Sequence, residues 1–446
     1  MTAADTPARQ TTTVWRNPDF VKVWGGETVS LLGSQVTDLA LPLVAILTLH
    51  ASAFEVGLLN VARYAPFVLL SLFAGVWFDR RRRRPTLIVA NLGRAVLIGL
   101  VPVASLLHVL SIPWLYAIAF GAGILTVLFD VGILSYVPGL VERRDLGEAN
   151  SKIATSYSIA GIAGPGLAGF LVGVLTAPIA LAIDAVSFLA SAAALSSIRK
   201  PEAAPAAPEE RTSVRASIAE GLRAVFGNPI LKHLATQSAT FNLFQNVVIT
   251  VLLVYLVRVL GIGPSPLGLV VSAGSVGALA GALTANRIRT TLGIGATLRW
   301  STVLACVAPL LLLVPRDSGP ASLVVLGVSL AVLGANLAIF NVNALTLRQS
   351  VTPDHLLGRM NASYRLLLFG TVPLGAFLGG SLAGLFGPWA ALVVGVLGVA
   401  SPLAWLLFSP VFRLTAIPDH PADPEPGADN TALAGSATND GNTRRP

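Results

Sequence analysis

Charge is what this sequence has least of. Of its 446 residues 12% are charged, about half the share of an ordinary soluble domain. That leaves too little polar surface to cover soluble domains of this total length. With 54% hydrophobic residues and a mean hydropathy of +0.74, the composition is that of a polytopic membrane protein. Cysteine is nearly absent: Cys306 stands alone, which excludes an internal disulfide and a cysteine-built metal cluster. The five histidines (His50, His108, His233, His355, His420) show no metal-ligand spacing. None of the four lysines (Lys22, Lys152, Lys200, Lys232) follows a glycine, so no ATP-hydrolysing motor is encoded. Ala273-Gly274-Ser275-Val276-Gly277 falls short of a nucleophile elbow, because it lacks the first glycine and lies inside an apolar run. No catalytic, metal or cofactor site is expected, and the chain does not read as an enzyme. Residues 1–15 are polar without an apolar core, so no cleavable signal peptide is expected.

What is there instead is a series of apolar runs. They cover roughly 21–48, 56–78, 86–107, 113–137, 152–175, 177–198, 231–257, 266–285, 299–315, 320–346, 362–385 and 388–410. An all-α membrane protein of twelve transmembrane helices is expected. Of the 30 Lys and Arg, 25 fall on the even side of the runs, only Arg258 and Arg316 on the other side, and Arg63, Arg94 and Arg365 inside runs. That bias places both termini in the cytoplasm. It also explains the basic pI without a nucleic-acid partner, since the basic residues sit at span ends rather than on one soluble face. The segment 199–230 opens with a Pro/Ala linker and becomes amphipathic around Ile218, Leu222 and Val225, which predicts a helix at the cytoplasmic interface. The tail 413–446 is expected to be disordered from its Pro, Asp, Asn, Thr and Gly content.

Ionisable groups inside apolar runs are functional candidates by default. Glu27, Ser30, Ser34, Thr37 and Asp38 form one helical stripe in the first run, bordered by Gln35. Such a stripe should line a cavity. Asp38 lies deep and suits a site that binds protons or a cationic substrate; the competing reading is a structural pair with Arg63 or Arg94. Glu27 lies near the entrance. Asn242, Gln245 and Asn246 (i, i+3, i+4) and Asn336 with Asn343 suit substrate hydrogen bonding, or equally interhelical bonding. Asp130 lies near the end of the fourth run. Asp184 and Arg365 are isolated charges, expected in structural pairs.

The halves echo each other. Leu146-Gly147-Glu148-Ala149-Asn150 aligns with Leu357-Gly358-Arg359-Met360-Asn361 at an offset of 211, and Gly75–Arg80 with Gly281–Asn286 at about 206. Two six-helix pseudo-symmetric bundles are therefore expected, 1–198 and 231–412, with a cavity at their interface, the architecture of the major facilitator superfamily.

Gly75-Val76-Trp77-Phe78-Asp79-Arg80-Arg81-Arg82-Arg83-Arg84 resembles the loop motif of that superfamily, G-x-x-x-D-R-x-G-R-R, with Arg82 in place of the second glycine. Asp79 at a helix C-terminus is disfavoured by the macrodipole. It needs donors or cations, and docking it on a neighbouring helix would make a latch. The plainer reading is that the arginines enforce topology and bind anionic headgroups. The resemblance implies gating roles for Gly75, Asp79, Arg80, Arg83 and Arg84, and Asp130 as gate partner of Arg80 or Arg83, with proton carriage as its alternative. Gly164, Pro165 and Gly169 resemble the antiporter signature of the fifth span: proline kinks the helix and glycines allow close approach.

Three stretches resemble the bacterial branch that holds the enterobactin exporter and macrolide-efflux proteins: Gly33–Pro42, Asp184–Ser191 and Leu347–Ser363. What this implies is proton-coupled export of a small organic molecule by a monomer in the bacterial cytoplasmic membrane. Proton-coupled uptake, a passive facilitator and a non-transporting sensor are the alternatives.

Overall fold

The computed structural model describes residues 14–79, 82–202, 214–404 and 409–418, with side chains of 71–79 and 214–218 left aside. Among these residues the chain is helical, without strands. Eleven of its helical stretches are long and apolar enough to cross a bilayer. The first half runs α1 (Pro18–Leu43), α2 (Ala53–Asp79), α3 (Arg83–Leu106), α4 (Ile112–Leu140), α5 (Leu146–Leu175) and α6 (Ala177–Ser196). A short helix, α7 (Val214–Gly227), precedes α8 (Pro229–Val254), α9 (Pro264–Leu292), α10 (Ile294–Val307), α11 (Pro320–Ser350) and α12 (Leu357–Ala400). Proline stands in the first two positions of α1, α4, α6, α8, α9 and α11, where its missing N–H costs nothing.

α12 holds 44 residues. Unbroken, it would be about 66 Å long, over twice the hydrocarbon thickness. It is broken at Gly387, whose φ of 84° is closed to most side chains. Before the break it runs parallel to α8: Tyr364 meets Ser238, and Gly379 meets Val247. After the break it runs antiparallel, with Gly395 on Val247 and Gly398 on Phe244. The break falls between the runs expected over 362–385 and 388–410. α1 has the same relation to α5 and α6: Trp24 and Thr28 meet Lys152 and Ser156 in parallel, while Lys22 meets Ser197 and Thr37 meets Asp184 in antiparallel order.

The repeat is stricter than the sequence alone suggested. Residues 211 apart start equivalent elements: Pro18 and Pro229, Ala53 and Pro264, Arg83 and Ile294, Leu146 and Leu357. Wide π turns at Val44–Thr48 and Tyr255–Val259 obey the same offset, as do Thr176 (φ 90°) and Gly387 (φ 84°). Asn17 and Asn228, again 211 apart, cap α1 and α8 with their side-chain oxygens. The alignment of Gly75 with Gly281 at 206 is therefore corrected. α2 and α9 keep the 211 register, and two glycines in a glycine-rich chain had matched by composition. The true partner of Gly75 is Asn286, so the second half has no copy of the Gly75–Asp79 spacing.

Helices α1 to α6 pack on one another, as do α8 to α12, and two seams join the halves: α2 against α12, and α5 against α9. At the first, Gly57 faces Gly380; at the second, Gly169 faces Gly268. The 211 offset turns one pair into the other. We call the end of the bundle holding Thr176, Gly261 and Gly387 the distal face, and the opposite end, where the 199–230 linker joins, the linker face. Both glycine pairs lie toward the distal face. So do the hydrogen bonds between halves among the described residues: Asn60 to Thr250, Arg258 to the carbonyls of Ile46 and Ala51, and Ser265 to the Gly169 carbonyl.

The linker is docked rather than lying free. Glu202 receives the backbone N–H groups of Arg83 and Arg84 (2.5 and 3.1 Å) at the start of α3. On α7, Val225 is buried in the apolar cluster of the second half, Gly221 abuts Ser363, and Glu220 pairs with Arg359 at 2.6 Å. Val225 thus packs against the second half, while Phe226 is exposed. The expected disordered tail lies outside the described residues beyond Pro418.

Candidate functional site

The polar stripe of α1 faces inward. Glu27, Ser30 and Thr37 are buried, and with Ser34, Gln35 and Asp38 they line a cavity of about 290 Å³ inside the first half. α2 contributes Arg63, α3 Arg94, α4 Asp130, α5 Tyr157 and α6 Asp184. Four carboxylates and two guanidiniums thus converge in one apolar bundle. Charges at this depth persist only when the fold supplies partners.

Each arginine is held. Arg63 pairs with Asp38, with side-chain exposures of 22% and 42%, so Asp38 has the arginine partner that one of its two readings expected. Arg94 is 4% exposed and lies between the rings of Phe129 and Phe188, 4.3 Å from each. A planar guanidinium suits such stacking. It also donates to Asn91, which donates to Ser191 at 2.9 Å. Asp184 is fully buried and accepts from Thr37 (2.5 Å) and Ser187 (2.9 Å). It is held by hydroxyls, not by the ion pair expected. Arg365 is not ion-paired among the described residues either; it lies along Phe369 at 5.7 Å, and that ring stacks on Phe67.

Of the two gate partners expected for Asp130, only Arg83 lies within the described residues. Arg83 does not reach it: its Nη1 donates to the Ser135 carbonyl at 3.0 Å. Ser135 is five residues nearer the linker face, about 8 Å along the helix. Arg84 binds the Leu195 and Ser196 carbonyls at the end of α6 (2.9 and 2.6 Å), satisfying groups that helix ends leave open. Arg80 and the side chains of Gly75–Asp79 lie outside the described residues, and so does the latch they would form. Asp130 instead faces the cavity shared with Arg94.

A second cavity, about 440 Å³, lies between the halves. Asp38 and Arg63 line it from the first half, together with Asn60. The second half supplies Gln245, Asn246 and Thr250 on an apolar wall with no charged residue. Asn242 and Gln245 also line a third cavity of about 210 Å³ with Gln237 and Ser301. Asn246 donates to both the carbonyl and the side chain of Asn242 (2.8 and 2.7 Å). Asn336 and Asn343 do not line these three cavities. Each donates to the carbonyl four residues back on its own helix, Val332 and Ile339, at 2.8 Å.

Gly164 makes room for Gln35, whose side chain occupies the space of a Cβ. The helix passes through Pro165 unbroken. Gly169 belongs to the α5–α9 seam. Glu27, expected near the entrance, is 7% exposed, and its i, i+3, i+7 spacing with Ser30 and Ser34 was the signal for that inward face. Tyr157 and Asn60 carried no signal beyond composition.

Known proteins resemble this chain along most of its length. The model of the Major Facilitator Superfamily matches residues 23–368 and 238–433. The multidrug efflux pump Tap of Mycolicibacterium fortuitum is 27% identical over 376 residues, covering 79% of this chain and 86% of that protein. The enterobactin exporter EntS of Salmonella choleraesuis (strain SC-B67) is 24% identical over 387 residues, covering 86% and 90%. The crystal structure of the nucleoside transporter NupG superposes with a TM-score of 0.66 at 13% identity, over 87% of this chain and 98% of that one, which shows a shared fold.

Proposed function

This chain belongs to the Major Facilitator Superfamily, and from that premise we propose that it is a proton-coupled exporter of a small organic molecule, a drug, antibiotic or siderophore-like metabolite, working by alternating access. The proposal takes the chain as twelve spans in two six-helix bundles, with the arms of α12 as the last two. The bias of basic residues toward one side supports a cytoplasmic linker face and cytoplasmic termini. Relatives described as an efflux pump and an exporter support outward transport.

The observation that carries the coupling is the Asp38–Arg63 pair, which lines both the cavity of the first half and the cavity between the halves. Protonating Asp38 leaves Arg63 without its counter-charge. Both cavities then change at once, and a coupled transporter needs such a group, whose charge state biases the two conformations differently. Asp130 is the second proton-coupling candidate, in the same cavity as Arg94. The seams closed toward the distal face correspond to a state open toward the cytoplasm.

The test is transport in inverted membrane vesicles. An acid interior should drive accumulation of exported compounds, a protonophore should abolish it, and Asp38→Asn should remove the dependence on the gradient. Accumulation that ignores the gradient, or an Asp38→Asn variant indistinguishable from wild type, overturns the proposal.

A further inference from the structure

The repeat relates two of the cavities to each other. Ser238, Ala305, Asn341 and Leu368 line the cavity of about 210 Å³ in the second half. They stand 211 residues after Glu27, Arg94, Asp130 and Tyr157, which line the cavity of the first half. Phe340 answers Phe129 in the same way. The counterparts of Asp38, Arg63 and Asp184 are Ile249, Gly274 and Gly395. The second-half cavity is therefore the repeat image of the first with its ionisable positions neutralised. Arg348 and Arg365 do not line it; they lie along the rings of Tyr364 and Phe369, at 3.7 and 5.7 Å.

Polarity moves the other way at two positions, where Leu31 and Ser34 are answered by Asn242 and Gln245. In the first cavity Glu27 Oε2 lacks a hydrogen-bond partner but shares the space with an unpartnered donor, Arg94 Nε. In the second, Gln245 Oε1 is buried without a partner, and no charged residue lines the wall. A buried acceptor without a donor is costly, and a charge brought there would find no counter-charge. The cavity suits an uncharged group that donates hydrogen bonds. Its polar groups arrive from three helices: Gln245 on α8, Ser301 on α10 and Asn341 on α11. Ser301 gives its proton to the Leu298 carbonyl at 3.1 Å, so toward a ligand it accepts. A ring with hydroxyls around its edge meets all three, since each hydroxyl both donates and accepts; a single amide would face one side only. The apolar faces of such a ring suit Phe241 and Phe340, which also line the cavity.

We propose that the second-half cavity is a subsite for an uncharged, polyhydroxylated ring of the substrate, a sugar-like group held by Gln245, Ser301 and Asn341, with the apolar remainder of the molecule in the cavity between the halves. Gln245 lines both cavities and so stands where the two parts of the molecule join. This rests on the export reading above.

The experiment uses two probes with one dansyl fluorophore on a ten-carbon chain, one ending in a glucosyl ring and the other in a cyclohexyl ring. Binding to the full chain in nanodiscs is read by energy transfer from its tryptophans, after subtraction of the signal that excess unlabelled probe does not displace. The glucosyl probe should bind at least tenfold more tightly, because the cyclohexyl ring leaves the buried amide unpaired. Asn341 lines the second-half cavity and neither of the other two. Asn341→Leu should weaken the glucosyl probe about tenfold and leave the cyclohexyl probe unchanged, and Gln245→Leu should do the same. Equal or tighter binding of the cyclohexyl probe overturns the proposal. So does either variant if it leaves glucosyl affinity unchanged or weakens both probes alike. Should the variants not reach the membrane, the wild-type comparison of the two probes decides alone. Vesicle transport separates the two levels: glucosyl binding of this pattern without gradient-driven movement keeps the subsite and removes the export reading, whereas gradient-driven movement of the cyclohexyl probe alone keeps export and removes the subsite.

Discussion

The glycine pairs at the two seams make the sharpest mechanical prediction. A Cβ on Gly169 would stand 2.8 Å from the Gly268 Cα and 3.0 Å from its nitrogen; on Gly57 it would stand 2.7 Å from the Gly380 Cα. These are backbone atoms, so no flexible side chain can yield. Carbon atoms prefer about 3.5–4.0 Å, so an alanine must push the helices apart by roughly 1 Å. Overpacking of this kind costs about 1–3 kcal/mol, paid only in the state with the distal face closed. The better helix propensity of alanine is common to both states and cancels. Since about 1.4 kcal/mol is a tenfold shift in a two-state equilibrium, Gly169→Ala and Gly57→Ala should each raise the distal-open population about tenfold. The double variant should approach a hundredfold, because the sites belong to separate seams. The chain suits a labelling assay: its one cysteine, Cys306, is buried and can be replaced by alanine. A cysteine introduced at Asn60, which lines the cavity behind the seam, is then labelled by an impermeant maleimide added outside intact cells. Gly139→Ala, where nothing lies within 4 Å, serves as control. A labelling rate unchanged in both seam variants, or raised equally in the control, refutes the reasoning.

Other consequences are smaller in scope. Asn17→Ala and Asn228→Ala each remove a side-chain cap from equivalent helices, so each should lower stability by about 1 kcal/mol and the losses should add, as thermal unfolding of the purified protein would show. Thr176 holds φ 90° with a β-branched side chain where its repeat partner is glycine; Thr176→Gly should release about 1–3 kcal/mol of backbone strain and raise the melting temperature. Asp38→Asn leaves Arg63 uncompensated, so it should reduce protein yield as well as coupling, and adding Arg63→Gln should restore yield without restoring gradient-driven transport. Recovery of transport in that double variant would remove Asp38 and Arg63 from the coupling.

Much of the fold was legible because lipid imposes a one-dimensional rule. A span must be apolar for about 20 residues, and the runs in the sequence show that directly. The inward side of α1 was equally readable, since Ser34, Gln35 and Asp38 repeat at helical spacing and a polar face cannot be left in hydrocarbon. The repeat was only half visible. Leu146 and Leu357 marked the offset, yet the Asn-Pro pairs at 17–18 and 228–229 carry it more strictly, and the Gly75–Gly281 match misled because glycine is abundant here.

Partner choice was not legible, since it depends on distances between helices far apart in sequence. A list of intramembrane charges cannot say that Arg63 takes Asp38, that Arg94 is held by two aromatic rings, or that hydroxyls satisfy Asp184. Nor can it say that Asn336 and Asn343 turn to their own backbone while Gln245 meets two cavities. By itself the sequence determined the membrane class, the runs and the set of charges inside them, because those follow from transfer energies residue by residue. Only the tertiary structure decided which charges are paired and that Glu27 has an oxygen left over, because pairing is set by helix packing, and helix packing by where glycines let two backbones touch.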